Sequence, residues 1–511
     1  MIKEWKMRAK RMRKNVSAGQ RIGELFARHN ERIRIAVVGA QECGKTMFLV
    51  SLINHLLQAD FGDFGKVEKW EVSSGAEILS PRPPKGMEPF DYDRYHKIFD
   101  ALFGYKDGKP SDKGSVPPST LQTYLLQMMV PLGRTEATSG VVKSKKVLLE
   151  VLDVPGERVA DFAMFNRSYE DWCRELTRAR QGVAGGTSSF DRYMEKVSRA
   201  SNVDEIKDAF FEFVLDRHVH NSTLIYPSSI LLTLSGEKTS RQADTSELKR
   251  ESIPFFQGDG FFAPLPEAFF HDKTKKGIVK AFSKAYKQYC IDSGLNEVCG
   301  WLETANKVYY LLDVFSILMS GKEREDDMRS HIRETLKVFG RREGNIISRA
   351  YNGFVDFLMR SRASEIYLVG TQIDRASKSQ RNNIKKLLDN EFGSILKMPE
   401  LEGKFCDIKT CAAICFGQSD GDDLEMSYKR SAHDETIYEA KKVANEVPTK
   451  FPENYSYIED ENDERQKKYA YPYSQPRFCG REEKVYDHVH FDQIVETIFT
   501  THSEVKGDGN G

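Results

Sequence analysis

Val37–Leu57 reads VVGAQECGKTMFLVSLINHLL, and the fold turns on how its first ten residues are understood. Gly39-Ala40-Gln41-Glu42-Cys43-Gly44-Lys45-Thr46 fits the pattern GxxxxGK[ST] at every position. Ahead of it, Ile33–Val38 (IRIAVV) is rich in β-branched residues and is stopped by Gly39, which predicts a buried strand. Behind it, Phe48, Leu52, Ile53, Leu56 and Leu57 recur at helical spacing. A glycine loop between a strand and a helix is a backbone nest. The glycines let the chain curl so that N–H groups converge on phosphate oxygens, and the helix aims its positive end at the same place. Lys45 would reach the β- and γ-phosphates of a bound nucleotide, and the Thr46 hydroxyl would hold Mg²⁺. Met47, the next residue, is counted with the loop.

Working outward, the second signal is VLDVPGE. Asp153 closes an apolar strand, where a carboxylate would serve Mg²⁺. Gly156 follows at DxxG spacing, so its N–H could sense a γ-phosphate, and the segment from Glu157 onward would be released when that contact is lost. Glu157 holds the position that orients the attacking water in Ras-like GTPases; a carboxylate there adds negative charge beside phosphate and predicts slow turnover. The third signal, VGTQID, ends another strand. Asp374 can accept two hydrogen bonds from a guanine edge, a donor pair that adenine lacks. Thr371 and Gln372 stand where the usual NKxD motif has Asn and Lys. After KTCAAI, Cys411 and Ala412 fall where a backbone N–H would meet the guanine carbonyl; an ordinary strand end reads equally well there.

Six apolar runs predict strands: Ile33–Val38, Tyr124–Val130, Val147–Val154, Lys307–Val314, Glu365–Thr371 and Phe405–Ile414. Helical patterns fall between most of them, which implies a mainly parallel six-stranded sheet covered on both faces, an α/β fold of the P-loop NTPase kind. Two connections, residues 58–122 and 158–305, are longer than such a sheet needs. The second carries amphipathic segments such as Asn202–Leu215 and Ile278–Ile291 and is read as a large helical insertion. The expected organisation is a basic helix over 1–30, a nucleotide-binding domain in two parts, 31–157 and 306–500, the helical subdomain 158–305 between them, and a disordered tail over 501–511. Residues 418–471 are expected to form loops and short helices.

With 511 residues, 40% hydrophobic and 30% charged, the chain has ordinary globular composition. Lys plus Arg and Asp plus Glu both total 76, so the overall charge gives no argument for nucleic acid. No long uncharged apolar run predicts a membrane span, and the eight cysteines form no obvious disulfide framework, which fits a cytoplasmic setting. Cys406, Cys411 and Cys415 lack the spacing of a zinc site. Residues 1–34 carry eleven Lys or Arg against three Glu, a net charge of +8. Two readings of that segment stay open: a solvated helix lying on the domain, and a peripheral contact with an anionic membrane.

Taken together, these motifs resemble the YcjX-like family, bacterial stress-associated P-loop proteins with a GTPase-type domain. RIRIAVVGAQECGKTMFLVSLINHLL, VLLEVLDVPGE, FFAPLPEAFF, the LLDV at Asp313, VGTQID and the closing PYSQPRF…HVHFDQIVETIF fall in the family's order. The chain departs from the family pattern at Glu42 (usually Arg), Arg158 (usually Trp) and Gln372 (usually Lys). Thr120, in SVPPST, matches the family's WPxxT segment, and the resemblance implies a switch threonine that closes over Mg²⁺; a threonine at a strand entrance reads equally well there. The resemblance also implies a protein that binds GTP and GDP with Mg²⁺ and hydrolyses GTP slowly; the leading reading of the residues is a switch in which nucleotide state repositions the helical insertion and changes the surface offered to a protein partner. An ATPase of the same fold and a nucleotide-stabilised scaffold with negligible turnover stay open beside it.

Overall fold

The computed structural model describes residues 31–39, 43–58, 71–72, 75–79, 83, 87–96, 105–106, 109–110, 123–135, 142–165, 167–180, 189–219, 227–230, 249–320, 322–338, 364–415, 418–420, 423–428, 438–440, 447–452, 478–479 and 485–500. The basic segment 1–30 and the tail 501–511 lie outside these residues.

Six main strands run through the centre: β1 (Glu31–Gly39), β2 (Thr123–Thr135), β3 (Val142–Asp153), β4 (Lys307–Leu312), β5 (Glu365–Gly370) and β6 (Phe405–Thr410). Their order in the sheet is β6-β5-β4-β1-β3-β2. All neighbours are parallel except β2, which pairs antiparallel with β3. The sheet is wider than the six strands expected. Glu71–Val72, Glu77–Leu79 and Met87–Pro89 pair with the outer side of β2, which makes nine strands. They cover a long edge that would otherwise present unpaired backbone groups to other chains. At two or three residues each, they are too short to show the alternation by which a strand is recognised.

Alternate residues of β1 point to opposite faces, and both faces are buried. Ile35 and Val37 pack with Phe48, Leu52, Ile53 and Leu56 of α1 (Lys45–Gln58). Ala36 and Val38 pack on the other face with Leu152, Val308 and Tyr310. The last described helix, Phe491–Phe499, joins the α1 side through Phe491, Ile494 and Ile498. Helix α1 is apolar almost all round because it is enclosed on every side.

Between β3 and β4 come α2 (Tyr169–Arg180), α3 (Ser189–Arg199), α4 (Val203–Val219), α5 (Lys276–Asp292) and α6 (Leu295–Leu302). Their apolar faces share one continuous core with the sheet, running from Leu152 and Val154 to Trp172, Tyr193, Phe210 and Phe262. FFAPLPEAFF is a packed loop in that core. Phe261 and Phe262 are buried, and its carbonyls are held from above: Tyr169 donates to Ala263 O and Tyr193 to Pro264 O at 2.7 Å. Elements α7 (Val314–Ser320), α8 (Lys322–Val338) and α9 (Arg381–Phe392) complete the layers around β4, β5 and β6. Farther on, where loops and short helices were expected, Gln418–Asp420, Asp423–Tyr428 and Tyr438–Ala440 form a small antiparallel sheet. No helix among the described residues is long and apolar enough to cross a membrane.

Phe262 is fully buried and meets Phe255, Trp172, Tyr286 and Tyr289 at ring separations of 5.5 to 5.9 Å. Phe262→Ala should cost about 3–5 kcal/mol. Because the core is shared with the sheet, urea unfolding followed by tryptophan fluorescence and by far-UV circular dichroism should shift together. Two separated transitions would mean that the helices between β3 and β4 form a unit of their own.

Candidate functional site

In the sheet order, β1 stands between β3 on one side and β4 on the other. The chain therefore leaves β1 at a topological switch point, the place beyond the carboxyl ends of the strands where sheets of this kind bind ligands. The register brings the singled-out residues to that edge. Val37 is opposite Asp153, Gly39 opposite Leu311, and Gly370 opposite both Leu312 and Thr410.

Gly39 is held at φ +152°, and a Cβ there would sit 2.5 Å from Leu311 O and 2.7 Å from Cys43 Sγ. Gly44, at φ +87°, turns the chain into α1, whose first helical bond runs from Phe48 N to Gly44 O at 2.9 Å. Lys45 opens that helix, and its ammonium folds back to donate to Gly39 O at 3.1 Å, 3.8 Å from Cys43 Sγ. Thr46 and Met47 follow in the first turn, both half-buried. Ala40, Gln41 and Glu42 lie outside the described residues, as does Thr120. Cys43 is buried, and burial pushes its thiol pKa up; Lys45 pulls the other way, and Asp313 and Asp153 add to the rise. The same influences place both carboxylates around the loop.

Asp153 ends β3 and is buried. Gly156, also buried, leads into a 3-10 helix over Glu157–Met164; the Glu157 side chain is outside the described residues. The contacts that anchor this helix were not visible in the sequence. Arg158 is buried and its guanidinium donates to Thr123 Oγ1 at 3.1 Å, at the start of β2. The carboxylate of Asp161 accepts Ser228 N at 2.9 Å, Ser228 Oγ at 2.6 Å and Tyr289 OH at 2.7 Å. Burial pushes the Asp161 pKa up, against the pull of those hydrogen bonds and of Arg158. The Tyr286 hydroxyl donates to Met164 O at 3.0 Å. The segment after the DxPG turn is thus fastened at two points to α5 and to the 227–230 turn.

At the far end of the edge, the buried Thr371 hydroxyl lies 2.9 Å from Cys43 O and 3.3 Å from Leu312 O. It ties the VGTQID motif to the glycine loop. Gln372 stands at φ +58°, and its Nε2 is 3.9 Å from where a Cβ on Gly44 would be. Its Oε1 accepts from Arg375 Nη1 at 3.2 Å, and the same nitrogen bonds both oxygens of Asp313 at 3.3 and 3.2 Å. Arg375 also stacks 4.7 Å above the ring of Phe315, while Asp313 caps α7 by accepting Phe315 N at 3.0 Å and Ser316 N at 3.2 Å. Asp374 is buried beside Cys411, whose thiol pKa is pushed up by burial first and by that carboxylate second.

Cys411 and Ala412 follow directly on the end of β6. Cys411 N donates to Gly370 O at 2.8 Å and Ala412 N to Val489 O at 2.9 Å, so both N–H groups are engaged within the protein. The loop they begin is braced from two sides. Ser51 Oγ of α1 donates to Ala413 O at 2.6 Å, and the 485–490 segment pairs with it through Val489 and Asp487. His55 and His488 meet edge to face at that brace, ring centres 4.8 Å apart.

A family described as "YcjX-like family, DUF463" matches residues 33–501. The chain is 22% identical to the Ras-like GTPase YcjX of Shewanella oneidensis over 412 residues, 75% of this chain and 76% of that one. It is 21% identical to the Ras-like GTPase YcjX of Escherichia coli over 396 residues, 75% and 78% respectively.

The histidine brace carries a pH dependence. Burial, then the neighbouring His488, lowers the His55 pKa to about 4, against Ser51 O and Asp492, which favour the charged ring. His488 is lowered as well, by burial, with Asp492 and Asp487 opposing and His490 adding to the shift. The unfolded chain takes up protons here, from a pKa of about 6.5 downward, that the folded chain refuses, so stability falls as the pH drops. His55 alone should account for about 3 kcal/mol between pH 7 and pH 4. Urea midpoints of wild type and His55→Asn over that range should differ in slope, the variant being flatter; parallel slopes would rule the brace out as the cause.

Proposed function

The chain belongs to the YcjX-like family, and from that premise we propose that it binds guanine nucleotide with Mg²⁺, hydrolyses GTP slowly, and uses the change of state to move the helices between β3 and β4. The observation that carries the reading is the Gly39–Thr46 loop. Its described ends stand at the switch point, with Lys45 turned back to Gly39 O and no space for a side chain at Gly39. Such a cradle, ringed by Asp153 at one strand end and the buried Asp374 at another, fits a magnesium-bound nucleoside triphosphate.

Each residue then has a role. Backbone N–H groups from Gly39 to Thr46, Ala40, Gln41, Glu42 and Cys43 included, would cup the phosphates, and Lys45 would exchange Gly39 O for the β- and γ-phosphate oxygens. Thr46 and Asp153, with Thr120 from the connection, would hold Mg²⁺, which when bound supplies positive charge to the phosphate oxygens. The buried carboxylate of Asp374 would accept the paired donors of a guanine edge, with Gln372 laid against Gly44 beside it. Glu157 would orient water, and its negative charge beside phosphate is the reason for slow turnover. Gly156 N–H would sense the γ-phosphate. The hydrogen bonds from Asp161 and Met164 to Ser228, Tyr289 and Tyr286 support a direct transmission: a shift of 157–164 draws α5 with it and changes the surface offered to a protein partner. The proposed setting is the cytoplasm. A role in stress rests on the family resemblance.

Competition titration with GTP and ATP in the presence of Mg²⁺ is the direct test. GTP should be preferred by at least about tenfold, and Asp374→Asn should erase most of that preference while leaving phosphate contacts intact. Preference for ATP would replace the guanine reading with the ATPase one. Lys45→Ala should abolish binding of either nucleotide. Single-turnover hydrolysis should run at roughly 10⁻⁴ to 10⁻² s⁻¹ without a partner; no phosphate release over many hours would leave a nucleotide-stabilised scaffold.

A further inference from the structure

Helix α5 spans seventeen residues, and its buried face is formed by Phe282, Ala285 and Tyr286. The opposite face carries Lys276, Lys280, Lys284 and Lys287, all exposed. At 100° per residue these four lysines fall within an arc of about 80°, spread over roughly 16 Å of the helix axis. Ile291 lies inside the same arc, one turn beyond Lys287. It is 56% exposed, the most exposed large apolar side chain among the described residues. None of the four lysines pairs with a carboxylate among the described residues. The acids that flank the stripe are turned to local partners: Asp272 accepts the amide and hydroxyl of Thr274, and Asp292 accepts Gln288 Nε2.

We propose that this face of α5 is a docking surface for an anionic lipid bilayer. A single exposed isoleucine is ordinary, and a charged helix face is usually just solvated. The register of the two is what points to a membrane. Lysine stems can lie along the headgroup region with the ammonium at the phosphates, while the isoleucine enters the acyl boundary. A protein interface of this area would be poor in lysine and rich in aromatic residues and arginine. Single-stranded nucleic acid would want stacking rings between the charges. The segment 273–292 has no arginine, and Phe282 and Tyr286 are turned inward. Residues 1–34, with a net charge of +8, give the chain a second basic segment, and weak membrane signals of this kind act in combination. The proposal does not depend on nucleotide binding. If the proposed switch operates, however, Tyr286 and Tyr289 link this helix to the segment after Gly156.

The test is co-sedimentation of the full chain with phosphatidylserine–phosphatidylcholine vesicles and with pure phosphatidylcholine vesicles at low and high salt. Wild type should bind the anionic vesicles, and less so at high salt. Replacing Lys276, Lys280, Lys284 and Lys287 together by Gln should lower partition by ~100-fold, taking roughly fivefold per lysine as the upper bound. Ile291→Ser should lower it by ~5-fold with the salt dependence unchanged. If the quadruple variant loses its fold, Lys280→Glu compared with Lys280→Gln keeps the test open, and the charge reversal should weaken binding further. Equal binding by wild type and the Gln variant would assign the membrane contact to the N-terminal segment and overturn the proposal. So would failure of wild type to bind anionic vesicles. Loss of single-stranded oligonucleotide binding in the Gln variant, with vesicles unbound throughout, would assign the stripe to nucleic acid instead.

Discussion

The structure depends on the place where β1 stops. Gly39 is paired with Leu311, and its backbone conformation, with Leu311 O and Cys43 Sγ in contact range of any Cβ, admits no larger residue without strain. Because β1 is hydrogen-bonded on both sides and buried on both faces, the strand cannot slip to relieve that contact. Gly39 is therefore fixed in place against Cys43. The register then places Asp153, Asp313 and Thr371 around it. Charge is distributed to match. Toward the opposite edge Arg32 and Arg34, themselves not buried, hold the buried Glu150 at 2.6 and 2.7 Å, and Lys307 and Glu365 form a buried pair at 3.0 Å; the buried Arg375 pairs with Asp313 beside the loop at 3.2 Å.

How much of this could be read in advance depends on burial. Strands β1, β4 and β5 are enclosed on both faces, so they appear as uninterrupted apolar runs, IAVV, VYYLL and IYLV, and were legible along with the positions of Gly39 and Asp153 at strand ends and of Asp374 just beyond one. The edge strands over 71–89 and the small sheet over 418–440 are short, and Glu, Pro, Asp and Ser occupy positions where alternation would otherwise show. Their pairing is decided by the neighbour they cover. Cys411 and Ala412 show a different limit. The sequence places them correctly at a strand end, but their N–H groups are taken by Gly370 and by Val489, the latter 77 residues downstream, a contact no local pattern announces.

The polar links that join the parts were illegible for the same reason. Asp313 reads as the end of an apolar strand, and its two functions, capping α7 and pairing with Arg375, appear only when β4 and β5 lie side by side. Asp161 reads as one acid in a charged segment. Buried against Ser228 and Tyr289, it becomes the fastening between that segment and the helices beyond. A buried carboxylate is tolerated only where several donors converge on it, so such residues mark where distant segments meet. Arg158, which stood out only as a departure from the family pattern, belongs with them: it joins the same segment to β2 through Thr123.

The departures at Thr371 and Gln372 are explained by the same contacts. A threonine hydroxyl has one proton to give, and here it faces the carbonyls of Cys43 and Leu312, so the tether between the VGTQID motif and the glycine loop survives without an asparagine. The charge is another matter. A lysine at 372 would put a mobile ammonium beside the nucleoside. Glutamine puts a neutral carboxamide there, oriented by Arg375, and the charge of Arg375 is itself offset by Asp313 at 3.2 Å. On the proposed reading, the positive charge has been moved three residues along the chain and neutralised, and discrimination between bases falls to the buried carboxylate of Asp374. A site of that kind gives up affinity more than selectivity. Stacking area and an ammonium serve any purine, whereas a buried carboxylate facing a base without the donor pair is left desolvated and unsatisfied.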